Sequence, residues 1–220
     1  MSLTRIIVLA NSWKHKDWCL AGIDINAGCW VRPVTSDTED GRVRRRDMRL
    51  PWHFPELLDI LGIPLDATGP DFGFETENRT ILQGRWKLEG RVSPNDVFQY
   101  VERASPILHN SRKYVTLPEL QQIPVQQRRT LQLIRVMDFS VTCETAPTRR
   151  KKWRGNTWTG TGILDLPITD PVFIRKLDTG HTPSPQCLLT ISLAMPWKSS
   201  DSPPGEPQVC WKLIAGVIEL

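Results

Sequence analysis

Short β-like runs, each closed by a turn signal, bound what this chain can fold into. "RIIVLA" (Arg5 to Ala10), "WCLAGIDI" (Trp18 to Ile25) and "CWVRPVT" (Cys29 to Thr35) open it. Asn26, Ala27 and Gly28 join the second and third as a hairpin-type turn. "LLDILGIPL" (Leu57 to Leu65) follows, and "RTILQGRWKLEGRV" (Arg79 to Val92) reads as two short strands around Gly84. The pattern returns in "TLQLIRVMDFSVTCE" (Thr130 to Glu144), "TGILDLPI" (Thr161 to Ile168), "QCLLTISLAM" (Gln186 to Met195) and "VCWKLIAGVIEL" (Val209 to Leu220). Short strands with few helices argue for small β-barrels or a sandwich.

The middle of the chain changes character. "SPNDVFQYVERA" offers Ser93 as N-cap, Pro94 at the first helical position and Asp96 in the first turn, so a helix is expected there. "TLPELQQI" (Thr116 to Ile123) predicts a second, shorter helix, and "TDPVFIRKL" one or two turns capped by Thr169 or Asp170. The expected organisation is a first β unit over 1–92, a helical bridge over 93–127 and a second β unit over 128–220. The last strand is a candidate to pair back onto the first unit.

No apolar run approaches the ~20 residues needed to cross a bilayer. "MSLTRIIVLANSWKHKDW" reads as a first strand rather than a signal peptide, so a cytoplasmic protein without membrane partners is expected. The five cysteines (Cys19, Cys29, Cys143, Cys187 and Cys210) form no CxxC pair, zinc spacing or disulfide framework. No metal or other cofactor is expected.

Net charge is only +4, but the cations are bunched. "GRVRRRDMR" (Gly41 to Arg49) carries Arg44, Arg45 and Arg46 in a row, and "RRKKWRGNTWTGTG" (Arg149 to Gly162) opens with five cations in six positions. Such clusters attract polyanions, chiefly nucleic acid. Two solubilising loops are the alternative reading.

Several motifs, in order, resemble the prokaryotic dual OB-containing family, small proteins built from two OB-fold-like barrels. "NSWKHKDWCLAGIDINAGCWVRPVT" is similar to its Ser-x-Lys, Cys-x-Ala-Gly and Trp-x-Arg-Pro-Val elements; Glu77 and Asn78 match its Glu-Asn pair; "LPITDP", "LLTISLA" and "CWKLIAGVI" follow. Trp13 and Trp18 stand where smaller or more polar residues are usual, Trp211 replaces a tyrosine and Thr76 a proline. The resemblance implies a mainly β fold, OB-like barrels with a few short helices. It also implies a nucleic-acid or nucleotide-sensing role in defence against phage.

OB-type barrels hold single strands with cations for phosphates and rings on which bases stack. Arg149, Arg150, Lys151, Lys152 and Arg154 would supply charge, Trp153 and Trp158 platforms, and Gly155 and Gly160 close backbone approach. A hairpin with both rings tucked under the sheet is the alternative. Lys14 and Lys16, beside His15, are candidates for gripping phosphate in the loop after the first strand. Trp30 and Arg32 lie two apart, on one face of a strand, and could hold a base and its phosphate or simply pack.

Catalytic signals are thin. Asp24, Glu77 and Asp170, with Lys14, could form a metal-dependent nuclease site, but Walker, GxGxxG and HxxxH patterns are absent. Ser12 with His15 lacks a third partner. The expected function is binding or sensing of nucleic acid, single-stranded favoured, or of a nucleotide-type ligand. A small nuclease or nucleotide hydrolase, and a protein-binding adaptor in a larger complex, are the alternatives.

Overall fold

A computed structural model describes residues 3–14, 17–48, 50, 54–103, 105–145, 151–160 and 162–220. Its first six strands are β1 (Thr4–Lys14), β2 (Asp17–Asp24), β3 (Trp30–Val34), β4 (Asp59–Ile63), β5 (Asn78–Thr80) and β6 (Lys87–Arg91). They form one sheet in the order β5-β3-β2-β1-β4-β6, antiparallel except for the β3–β5 pair. The β2–β3 turn closes as the Asn-Ala-Gly spacing predicts: Gly28 takes a positive φ of 66°, and its N–H donates to the Asp24 carbonyl.

β1 reads as an unbroken apolar run because both its faces are covered, unlike an alternating half-exposed strand. Ile6 and Val8 pack with Leu20, Val31, Leu61 and Trp86 inside the first sheet's core. Ile7 and Leu9, on the opposite face, pack with Leu133, Leu188 and Ile218 from the second half of the chain.

The second half contributes β7 (Tyr114–Thr116), β8 (Leu131–Val136), β9 (Ser140–Thr145), β10 (Lys151–Trp158), β11 (Ile163–Pro167), β12 (Cys187–Leu193) and β13 (Val209–Glu219). They make a four-stranded sheet, β7-β13-β12-β8, and a three-stranded sheet, β11-β10-β9. The two are joined over one core that includes Phe139, Leu166, Phe173, Leu189 and Ile214. β13 hydrogen-bonds to β12 and to β7, and its backbone lies directly against β1. The strand β7 comes from the stretch expected to bridge the units.

That approach depends on two bulges. The β1–β2 register shifts between Val8 and Ala10, and the β12–β13 register shifts between Thr190 and Ile191. A bulge turns a backbone group out of its ladder. The Leu9 carbonyl accepts a hydrogen bond from the Thr190 hydroxyl at 2.5 Å, and a Cβ on Gly216 would collide with that same carbonyl.

The helices are short. Ser93 caps its segment as the sequence predicts, its N–H and hydroxyl both donating to Asp96 at 2.7 Å, but Pro94–Tyr100 winds as a 3-10 helix rather than an α-helix. Val97 of that segment is fully buried, and Phe98 and Tyr100 pack partly buried against the same core. α1 (Leu117–Gln122) is capped by Thr116, and α2 (Pro171–Asp178) by Asp170, whose Oδ1 accepts from Val172 and Phe173. Among the described residues no helix is long and apolar enough to cross a membrane.

One buried cation anchors the middle of the chain. Lys212 of β13 is fully buried, and its Nζ donates to the carbonyls of Ile107 and Asn110, both at 2.6 Å. Burial, and secondarily the charge of Arg112, lower its pKa from 10.5 to about 8. The unfolded chain therefore binds more protons than the native one between those values, so stability rises with pH across that window. Urea unfolding at about pH 8 and about pH 9 should show the wild type gaining about 1 kcal/mol relative to Lys212→Met across that step. The variant is the reference because the buried Cys187 and Cys210 thiols, raised to about 12, act in the opposite sense over the same range and do so equally in both proteins.

Candidate nucleic-acid interface

Alternation along β3 does set Trp30 and Arg32 on one face, and that face turns inward at Arg32. The Arg32 guanidinium pairs with Glu75 through Nη1 and with Glu77 through Nη2, the latter at 2.9 Å; Nη2 also donates to the Thr130 hydroxyl at 2.9 Å. Asn78 Nδ2 donates to Glu75 at 2.6 Å, and the Thr130 hydroxyl donates to Glu77. The side chains of Arg32, Glu75 and Glu77 are only 13%, 2% and 6% exposed. Arg32 thus lies in a network joining β3, the approach to β5 and the start of β8, and it also lines a small cavity beside that network. The sequence singled out Glu77 and Asn78 but missed Glu75, whose signal was its position two residues before Glu77, on the same side of an extended chain.

A cavity lies on each side of this network. One, of about 490 Å³, is walled by Trp30, Asn78 and Arg79 of the first half and by Arg128, Arg129 and Thr130 of the second. The other, of about 230 Å³, includes Ser12, Trp13, Cys19 and Ala21 with Ser192, Met195 and Leu213. They share Glu75 and Leu131 as a common wall.

An aromatic surface starts at the tip of the β1–β2 hairpin. Trp13 meets Trp18 edge-on at 4.6 Å, Trp18 stacks on Phe54 at 5.6 Å, and the Arg45 guanidinium sits 4.6 Å from the Phe54 ring centre. Paired backbone hydrogen bonds between Trp18 and Val43 bring the arginine-rich loop alongside. In that loop Arg44 donates to the Asp37 carbonyl, while Arg46 is largely exposed beside Asp47. Trp13 also lines the smaller cavity, whose residues Ala194, Met195 and Leu213 are shared with a third cavity of about 740 Å³. That open groove holds Trp197 and Trp211 with Lys113, Lys152 and Arg154. Tyr114 packs edge-on against Trp211 at 5.3 Å, under the Arg112 guanidinium.

β10 divides the basic-aromatic stretch between its two faces. Trp153, Gly155 and Thr157 point to the core: Trp153 packs on the apolar cluster and donates its indole N–H to Asp178 at 2.9 Å. Gly155 is needed for packing rather than for ligand approach, since a Cβ there would strike Phe139 and Ile214. Lys152, Arg154, Asn156 and Trp158 share the outward face. Lys152 is exposed and Trp158 is 60% exposed. Arg154 is tied to Asp165 at 2.6 Å, a bond that raises the arginine's pKa and lowers the carboxylate's. Lys151 is exposed on the inner-facing register beside Trp153 and lies 3.9 Å from Asp178. Lys16, Arg149 and Arg150 lie outside the described residues, as do His15 and the side chain of Lys14.

The carboxylates considered for catalysis are separated and engaged. Asp24 accepts from the Asn26 and Ala27 N–H groups and pairs with Arg79 at 3.3 Å. Asp170 caps α2 and accepts from Val217 N–H; burial raises its pKa. Among the described residues no three of His, Cys, Asp or Glu gather as a metal-binding group.

Removing Arg32 leaves two buried carboxylates facing one another without a cation. Arg32→Met should destabilise the fold by about 3–5 kcal/mol, and adding Glu75→Gln and Glu77→Gln should restore part of that loss. Chemical denaturation of the single and triple variants measures both.

The family signal agrees with this placement. Ser12, Cys19, Ala21, Trp30, Arg32 and Asn78, which carry the resemblance, all line the paired cavities or the network between them. Comparison with curated proteins yields no match, and neither does comparison with solved structures. A family model described as the dual OB-containing domain matches residues 4–217. That span takes in nearly the whole mainly β architecture, and the chain belongs to the dual OB-containing domain family.

Proposed function

We propose that this protein binds single-stranded nucleic acid along the aromatic surface that crosses from its first sheet to its second. The observation that carries the reading is continuity. Phe54, Trp18 and Trp13 lead to the cavity wall of Ala194, Met195 and Leu213, and that wall opens into the groove of Trp211 and Trp197. Trp13, Trp197 and Trp211 are 45%, 55% and 39% exposed, large rings left accessible on a protein with a well-filled core. Such rings beside cations form the stacking platforms and charged channel of a sequence-tolerant strand binder. Arg44, Arg45 and Arg46 flank one end, and Lys152 the other. The outward face of β10 extends the path toward Trp158, about 20 Å beyond Lys152 at strand spacing. Lys14, Lys16, Arg149 and Arg150 belong to the same proposal as further phosphate contacts. The prokaryotic defence setting in this proposal rests on the family resemblance, and the cytoplasmic location on the sequence reading alone.

Stacking on exposed rings favours bases that are not paired. Fluorescence anisotropy should find labelled single-stranded DNA or RNA bound more tightly than duplex, with a log–log salt slope of about −0.7 per phosphate contacted. Trp13→Ala and Trp211→Ala should each weaken binding by about 1–3 kcal/mol, roughly 5- to 150-fold. Changing Lys151 and Lys152 to Ala should flatten the salt slope. Unchanged affinity in both tryptophan variants, or no binding at low salt, would overturn the reading.

A further inference from the structure

We infer that the 490 Å³ cleft between the two halves is a separate binding site for a nucleoside phosphate, either free or as the phosphorylated end of a strand. Its size falls in the range of small-molecule sites. Three features give it the chemistry.

The first is a ring. Trp30 packs one part of its indole against Ala21 and Leu131 and lends the rest to the cleft wall, where a base can stack.

The second is a rigid cation without a counter-charge. Arg128 donates Nε to the Ile123 carbonyl at 2.9 Å and Nη2 to the Gln121 carbonyl at 3.0 Å. Both acceptors are neutral, so the guanidinium is held in place while its charge stays uncompensated, and Nη1 has no protein partner among the described residues. A fork fixed in this way suits a phosphate oxygen. Its neighbour Arg129 pairs with Glu102, and Arg79 across the cleft pairs with Asp24. Arg128 is therefore the principal anion contact.

The third is an orphaned acceptor. Asn78 is only 5% exposed, and its Nδ2 donates to both the Pro70 carbonyl and Glu75, while its Oδ1 has no donor. Flipping the amide does not help, because Nδ2 already faces two acceptors. A buried acceptor of this kind is rare unless something supplies a proton to it. Asn78 lines the cleft, and a base amine or sugar hydroxyl bound there reaches this oxygen once the covering wall shifts.

The two walls are thus unlike. The wall from the first half offers the ring and acceptors (Asp71, Glu75, Glu77 and Asn78), and the wall from the second offers Arg128 and Arg129. A nucleoside phosphate has the matching polarity, with amines and hydroxyls at one end and phosphate at the other. Arg32, read from the sequence as the phosphate contact beside Trp30, lies behind this wall holding Glu75 and Glu77 in place.

Isothermal titration calorimetry with AMP, GMP, CMP, UMP and the corresponding triphosphates tests the free form. Oligonucleotides with a 5′-phosphate or a 5′-hydroxyl test the strand end. At least one nucleoside phosphate, or the 5′-phosphorylated strand in preference to its hydroxyl counterpart, should bind. Arg128→Gln should weaken that binding by about tenfold or more, and Arg128→Lys by less. Hydrogen exchange on the wild-type protein should show ligand protection over 67–79 and 125–131, a readout that does not depend on any variant folding. Absence of binding by every probe, undiminished affinity in a folded Arg128→Gln, or protection elsewhere would overturn the inference. Trp13→Ala and Trp211→Ala should leave nucleotide affinity unchanged, so failure of the aromatic path and failure of the cleft give different results.

Discussion

The bond between the Leu9 carbonyl and the Thr190 hydroxyl is where the two halves of this protein become one body. Leu9 has no exposed surface, so its carbonyl, freed from the β1–β2 ladder by a bulge, would otherwise be a buried acceptor without a donor. The second bulge, at Thr190 and Ile191, opens the facing strand pair at the same place, and Gly216 lets the backbones approach. Around this point the side chains of Ile7, Leu133, Leu188 and Ile218 fill a core belonging to neither sheet alone. The cleft, the smaller cavity and the aromatic path all lie along the seam this contact creates.

A polar device sits next to this apolar one. Burying Arg32 with two carboxylates is costly in desolvation, and an apolar filling of the same volume would often be as stable. What the ions add is direction: a guanidinium fork accepts its partners from few angles, so β3, Glu75, Glu77 and Thr130 can meet in one arrangement only. The seam is therefore zipped by packing and indexed by charge. A rigid joint of this kind is what a surface needs if its rings are to stand at fixed spacing.

Strands were legible in the sequence where turn residues bounded an apolar run, as in β2 and β12, whereas β1 runs on past Asn11 to Lys14, through residues read as a loop. The short β5 was legible only within the run from Arg79, and its parallel pairing with β3 was not, because it joins positions far apart in the chain. The structure separates Trp153 from Trp158, with Gly155 and Thr157 on the inner register, whereas the sequence reading keeps the two rings together. Period two along β3 was not enough for Arg32: its partners lie 43 and 45 residues away, and nothing local announces that they turn inward to meet it. Trp197 hid in a polar, proline-rich loop, and Arg128 in the run after α1. Both gain a role only through the tertiary structure, which sets Trp197 beside Trp211 and Arg128 across from Trp30.

The edge strand β6 carries a further consequence. All five of its residues are exposed, they include Lys87, Glu89 and Arg91, and its register with β4 shifts between Ile60 and Leu61. Charge and irregularity together make a poor template for an incoming strand. Growth of this sheet by backbone pairing with another chain is therefore disfavoured. At this edge, any larger assembly has to be built from side-chain surfaces.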